Sequence, residues 1–151
     1  MCKWPIAELV PHAGAMILLD AVEDFDAEQI NTRLRVRGEG LFSRADGSLP
    51  AWVAIELMAQ SIAAHAGCQA RLRGEPVQLG FLLGTRRFAC NVDGFAVGTE
   101  LRIHALRSLQ DDNGMAIFEC RLSGPGILAE ARLNVFCPPQ VESYLQEPGL
   151  G

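Results

Sequence analysis

A single carboxylate, Glu56, stands near the start of the stretch LPAWVAIELMAQSIAAHAG, which covers residues 49–67 and is apolar around nearly its whole circumference. A helix of that composition is buried on every side rather than along one stripe. The amide of Gln60 follows Glu56 by four positions and so shares its helix face. An ionised carboxylate in apolar surroundings is costly, and it either takes up a proton or finds a partner. Held away from water, such an acid can give or take a proton in a reaction. Paired with an arginine or with backbone amides, it serves structure alone, and the residues leave both readings open.

The chain also holds three histidines, and they stand differently to Glu56. His65 follows Glu56 by nine positions, about 180° round a helix at ~100° per residue, and therefore faces away. His104 alternates within a strand-like run and reads as structural or surface. His12 lies in the bend PHAGAM, between Pro11 and Gly14, which can carry it to the helix start. Asp46, in a loop, is a further candidate base. No Cys/His cluster or carboxylate pair has ligand spacing, so no metal is expected. Neither glycine-rich phosphate-binding pattern occurs, and no cofactor is expected.

These groups have to be positioned by one domain, since 151 residues suffice for a single core. Residues 1–137 read as that domain and 138–151, rich in Pro, Gln and Gly, as a flexible tail. A net charge of −5 without a basic stripe argues against nucleic acid as a partner. Five scattered cysteines, with no C-x-x-C, fit a reduced cytoplasmic protein that uses them as small hydrophobes. The first residues lack the apolar run of a signal peptide, and no segment reaches the length of a membrane span.

The elements follow from periodicity. Residues 6–14 read as a helical turn and a bend, and 17–25 as a strand. Residues 29–37 alternate with period two, a half-buried strand with a charged outer face. The helix at 49–67 comes next, after a loop at 38–48. Strand-like runs at 77–89, 100–109, 115–123 and 127–136 close the domain, with DDNG at 111–114 marking a hairpin. The pattern is α+β: an antiparallel sheet curled around one long central helix. One side of that helix stays uncovered in a single chain, which points to a dimer.

Four segments taken in order resemble the hotdog-fold β-hydroxyacyl-acyl-carrier-protein dehydratases, over residues 9–137. VPHAGAMILLDAV (10–22) is similar to that family's opening L-P-H-R-x-P-x-L-L-x-D. LPAWVAIELMAQ (49–60) is similar to its helix F-P-G-V-x-x-x-E-x-x-A-Q, FLLGTRRFACNV (81–92) to its central strand, and LAEARLNVF (128–136) to its last strand. GFLLGTRRF and LQDDNG resemble most the branch associated with aryl polyene biosynthesis. The resemblance implies loss of water from a β-hydroxyacyl thioester on acyl carrier protein. In that chemistry a histidine removes the α-proton, a carboxylate handles the departing hydroxyl, and a backbone amide steadies the enolate oxygen.

Carried over residue by residue, the carboxylate is Glu56 and Gln60 is its orienting partner. The amide facing the thioester oxygen is that of Ala51, and Leu83 and Gly84 line the acyl tunnel. Arg86 and Arg87 are candidates to meet the acidic carrier. One departure is large: the family's catalytic histidine, 14 positions before the carboxylate, falls on Phe42 within GLFSRADGS (40–48). His12 is then the remaining candidate base. Three functions stay open: a dehydratase using His12 and Glu56, as a homodimer or with groups from opposite subunits; a catalytically silent hotdog subunit paired with an active one; and a hotdog thioesterase in which Glu56 or Asp46 activates water.

Overall fold

A computed structural model describes residues 2–77 and 80–136. The readings made for 138–151 lie outside the described residues. The elements run β1 (Ala21–Phe25), β2 (Gln29–Arg35), β3 (Leu49–Pro50), α1 (Val53–Leu72), β4 (Phe81–Cys90), β5 (Gly94–Phe95), β6 (Glu100–Gln110), β7 (Met115–Gly124) and β8 (Ile127–Phe136). Six strands form one antiparallel sheet in the order β1-β2-β6-β7-β8-β4, and β3 pairs with β5 apart from it.

The period-two pattern of β2 has its expected effect: Ile30, Thr32 and Leu34 are buried, while Arg33 and Arg35 are exposed. The same alternation on β6, β7 and β8 turns Ile103, Phe118 and Leu133 inward, where α1 packs across the sheet. Burying side chains such as Leu57 and Met58 completely is worth about 2 kcal/mol each. The helix is built largely of good helix formers, Ala, Leu, Met, Glu and Gln. It stops in a Schellman turn: Glu75 N donates to Ala70 O at 2.9 Å and Gly74 N to Arg71 O at 3.1 Å, with Gly74 at φ +70°.

Several boundaries differ from the periodicity. The strand expected at 17–25 is a strand only from Ala21, with Asp20 N already donating to Arg33 O at 2.9 Å, while the backbone of Met16 and Leu18 before it is bonded to the side chain of Gln60. The helix begins at Val53 and runs on to Leu72, since Leu49 and Pro50 are claimed by pairing with Phe95 and Gly94. Nor is the helix covered all round. Ile55, Glu56, Ala59, Ala63 and Ala66 are only partly buried and Trp52 is exposed. The sheet covers one side of α1 and the N-terminal segment another, which leaves this third face open in a single chain.

Candidate active site

Three anchors hold residues 8–18 against α1, and they decide where His12 lies. At the far end, the Arg71 guanidinium donates to Glu8 O from Nη2 at 3.0 Å. In the middle, Leu9 is fully buried and its backbone rests on Gly67, where a Cβ would lie 2.7 Å from Leu9 C and 2.8 Å from its Cα. Only glycine permits that approach. Near the helix start, the fully buried amide of Gln60 accepts from Leu18 N at 2.9 Å and donates to Met16 O at 2.6 Å. The bend between these anchors presents His12 to the open face of α1.

There His12 Nε2 stands 3.6 Å from Glu56 Oε1, with the side chains 26% and 30% exposed. Gln60 Nε2 also donates to Glu56 Oε1, at 3.1 Å, so one amide clamps both the N-terminal segment and the carboxylate. His12 Nδ1 is buried and has no hydrogen-bond partner among the described residues. Imidazole and carboxyl open on a cavity of about 180 Å³ whose other walls are apolar, among them Ala59, Ala63, Phe81, Leu82 and Val135. The arrangement offers two groups able to exchange a proton at the mouth of a greasy cleft.

His12, Glu56 and Gln60 are thus brought together, and the other residues named from sequence lie elsewhere. Leu83 and Gly84 are not among the cavity's lining; Phe81 and Leu82, just before them on β4, are. The Ala51 amide donates to Asp93 O at 3.1 Å and is not free. The next amides, of Trp52 and Val53, stand where a helix start leaves N–H groups without an intrahelical partner. Phe42 packs edge-on against Trp52, ring centres 5.6 Å apart. Asp46 accepts from Ser48 Oγ at 2.6 Å and Ser48 N at 2.9 Å, bonds that hold its carboxyl below the usual range. It closes a turn and is absent from the lining of the Glu56 cavity.

His65 points to the opposite side of α1, with Nε2 2.8 Å from Asp26 O. His104 Nε2 lies 2.7 Å from Gln29 Oε1 in a cross-strand contact. Arg86 and Arg87 are exposed on β4, Arg87 at φ +56° in a bulge. Among the described residues no group of His, Cys, Asp and Glu is placed to hold a metal ion. No helix among them is long and apolar enough to cross a membrane.

One long helix held against a large antiparallel sheet, with an acid in its first turns, defines the hotdog class. Solved members with that fold include a hypothetical thioesterase from Streptococcus pneumoniae TIGR4 with coenzyme A, 11% identical with TM-score 0.60 over 80% of this chain and 86% of that one. Another is the PaaI protein of E. coli, 14% identical with TM-score 0.58 over 76% and 80%. These likenesses are of fold. The profile of the ApeP-like dehydratase family matches residues 4–146, and the chain belongs to that family. A chain of the dehydratase heterocomplex ApeI:P from Xenorhabdus doucetiae is 34% identical, with TM-score 0.84 over 95% of this chain and 97% of that one. Among curated proteins no match was found. The reaction class of that family is dehydration.

Proposed function

We propose that the chain takes part in dehydrating a β-hydroxyacyl thioester carried on acyl carrier protein, with His12 and Glu56 as the reacting pair. The observation that supports this is the 3.6 Å approach of His12 to Glu56 at the mouth of the apolar cavity. His12 Nε2 takes the α-proton while the electron pair moves to the thioester oxygen as an enolate. Re-formation of the carbonyl expels the β-hydroxyl, which leaves as water with a proton from Glu56. The trans-2-enoyl thioester and one water are the products. The proton then on His12 returns to Glu56 across the short gap, which restores both groups. The α-proton is weakly acidic, so oxyanion stabilisation at the helix start is needed as well, and the Trp52 and Val53 amides are the candidates. The motif likeness supports a substrate in fatty-acid-like or aryl polyene synthesis.

A second subunit fits the same site. A protonated His12 carries an N–H at Nδ1, and a buried donor without an acceptor costs about 1–3 kcal/mol. Phe81, Leu82 and Leu83 stand 48%, 43% and 55% exposed on β4, whose outer edge pairs with no strand among the described residues. Another hotdog subunit laid against this face covers that exposed edge, and the similar ApeI:P chain comes from a heterocomplex. The reading of this chain as a partner to a separate active dehydratase rests on the same features.

The test is turnover of a β-hydroxyacyl carrier substrate by the chain alone and with a co-expressed hotdog partner. Glu56→Gln and His12→Ala are expected to lower kcat at least a hundredfold. Unchanged kcat in both variants of an active complex assigns the chemistry to the partner. Release of free acid and thiol from an acyl thioester, without enoyl product, assigns hydrolysis instead.

A further inference from the structure

Where the N-terminal segment crosses α1, each side of the contact carries a thiol. Cys68 follows Gly67, the residue on which the Leu9 backbone rests, and it is fully buried. Cys2 is partly exposed and packs against the same core. Its neighbours fix its place: the Trp4 ring packs on Phe25 with centres 6.3 Å apart, and Cys2 Sγ lies 3.8 Å from Trp4 O. Both cysteines are free thiols, and their side chains are in hydrogen-bond contact. They stand 66 positions apart in sequence, so the chain's fold alone brings them together.

The two sulfurs differ in what reaches them. Burial pushes the Cys68 thiol up to about 12, with the neighbouring Cys2 adding to the rise, so Cys68 stays protonated and inert to reagents in solvent. Cys2 is the sulfur that an oxidant can reach. With hydrogen peroxide an S–O bond forms at Cys2, the O–O bond breaks, and water leaves a sulfenic acid behind. The Cys68 sulfur, already beside it, then attacks that sulfur. The S–S bond forms, the S–O bond breaks, and the hydroxyl departs as a second water with the Cys68 proton. Two thiols and one hydrogen peroxide thus become one disulfide and two waters.

We propose that Cys2 and Cys68 form a peroxide-sensitive staple, a disulfide that fastens the N-terminal segment to α1 and is undone by thiol reductants. That segment carries His12, and without the bond it is held by the Leu9, Gln60 and Arg71 contacts alone. The test treats the folded chain with hydrogen peroxide, blocks it with N-ethylmaleimide and maps it by mass spectrometry without reduction. A linked peptide is expected, lighter than its two thiol peptides together by about 2 Da. The bond closes a long loop of the unfolded chain, so Tm should rise by about 5 °C or more, and dithiothreitol should reverse both changes. Cys2→Ser, at the edge of the fold, should leave the reduced Tm within about 2 °C and abolish the link and the rise. Cys68→Ala should let Cys2 run on to sulfinic acid, a gain of about 32 Da. Three results overturn the proposal: both thiols still free after excess peroxide, Cys2 of the parent carried to sulfinic acid without a link, or a link that leaves Tm unchanged.

Discussion

Replacing Gly67 by alanine tests whether the N-terminal segment is held by the helix and whether that hold positions His12. In a helix interior alanine is favoured over glycine by about 1 kcal/mol, so propensity alone predicts a gain in stability. The structure predicts the opposite. The new Cβ would lie 2.7 and 2.8 Å from the C and Cα of Leu9, with the carbonyl oxygen nearer still, against ordinary contact at 3.4 Å and beyond. These are backbone atoms, which yield only if the whole segment moves, by roughly 1 Å or more. Overpacking costs about 1–3 kcal/mol, and more where backbone is displaced. The net expectation is a loss of about 2 kcal/mol, or a fall in Tm of about 4–8 °C for a chain of this size. His12 lies three residues after Leu9, so the displacement also carries it away from Glu56. A misplacement of about 1 Å can lower kcat a hundredfold. Thermal unfolding by circular dichroism and kcat on a β-hydroxyacyl thioester read the two effects. An unchanged or raised Tm with full activity would refute the claim that Leu9 packs on Gly67 and holds the histidine.

Gln60→Leu keeps the volume and removes the clamp, leaving Leu18 N and Met16 O without their partner; stability measured by urea unfolding should fall by about 2–4 kcal/mol, with kcat reduced as well. Burial depresses the His65 imidazole below 6.5, with Arg107 pushing the same way and the Asp26 carbonyl and carboxylate opposing. The unfolded chain therefore binds a proton at His65 before the folded one does, so stability is complete above about pH 6.5, falls as pH drops below it, and levels off beneath the folded value. Tm measured from pH 7 to pH 5 should show that fall in the parent and a flatter course in His65→Gln. Burial pushes the Cys68 and Cys120 thiols up to about 12, so neutral iodoacetamide on the folded protein should spare both, and mass spectrometry that finds them alkylated first would contradict the packing.

The sequence by itself determined the chain's class and the helix that carries Glu56. Period-two alternation and the hairpin at 111–114 are local signals, and they reappear in β2, β6, β7 and β8. Glu56 and Gln60 needed only the helix repeat to be put on one face, and their hydrogen bond at 3.1 Å follows from it. The two-residue strands β3 and β5 carry no such signal, because each is ordered only by pairing with the other, far away in the chain. Tertiary structure alone decided which side of α1 stays open, since that depends on where the sheet and residues 8–18 lie. It also put Phe81 and Leu82 on the wall of the Glu56 cavity, and paired the Ala51 amide with Asp93 O. Above all it brought His12 to Glu56 across 44 positions of sequence. No local rule specifies that meeting; it follows from a glycine that admits a backbone and an amide that grips one.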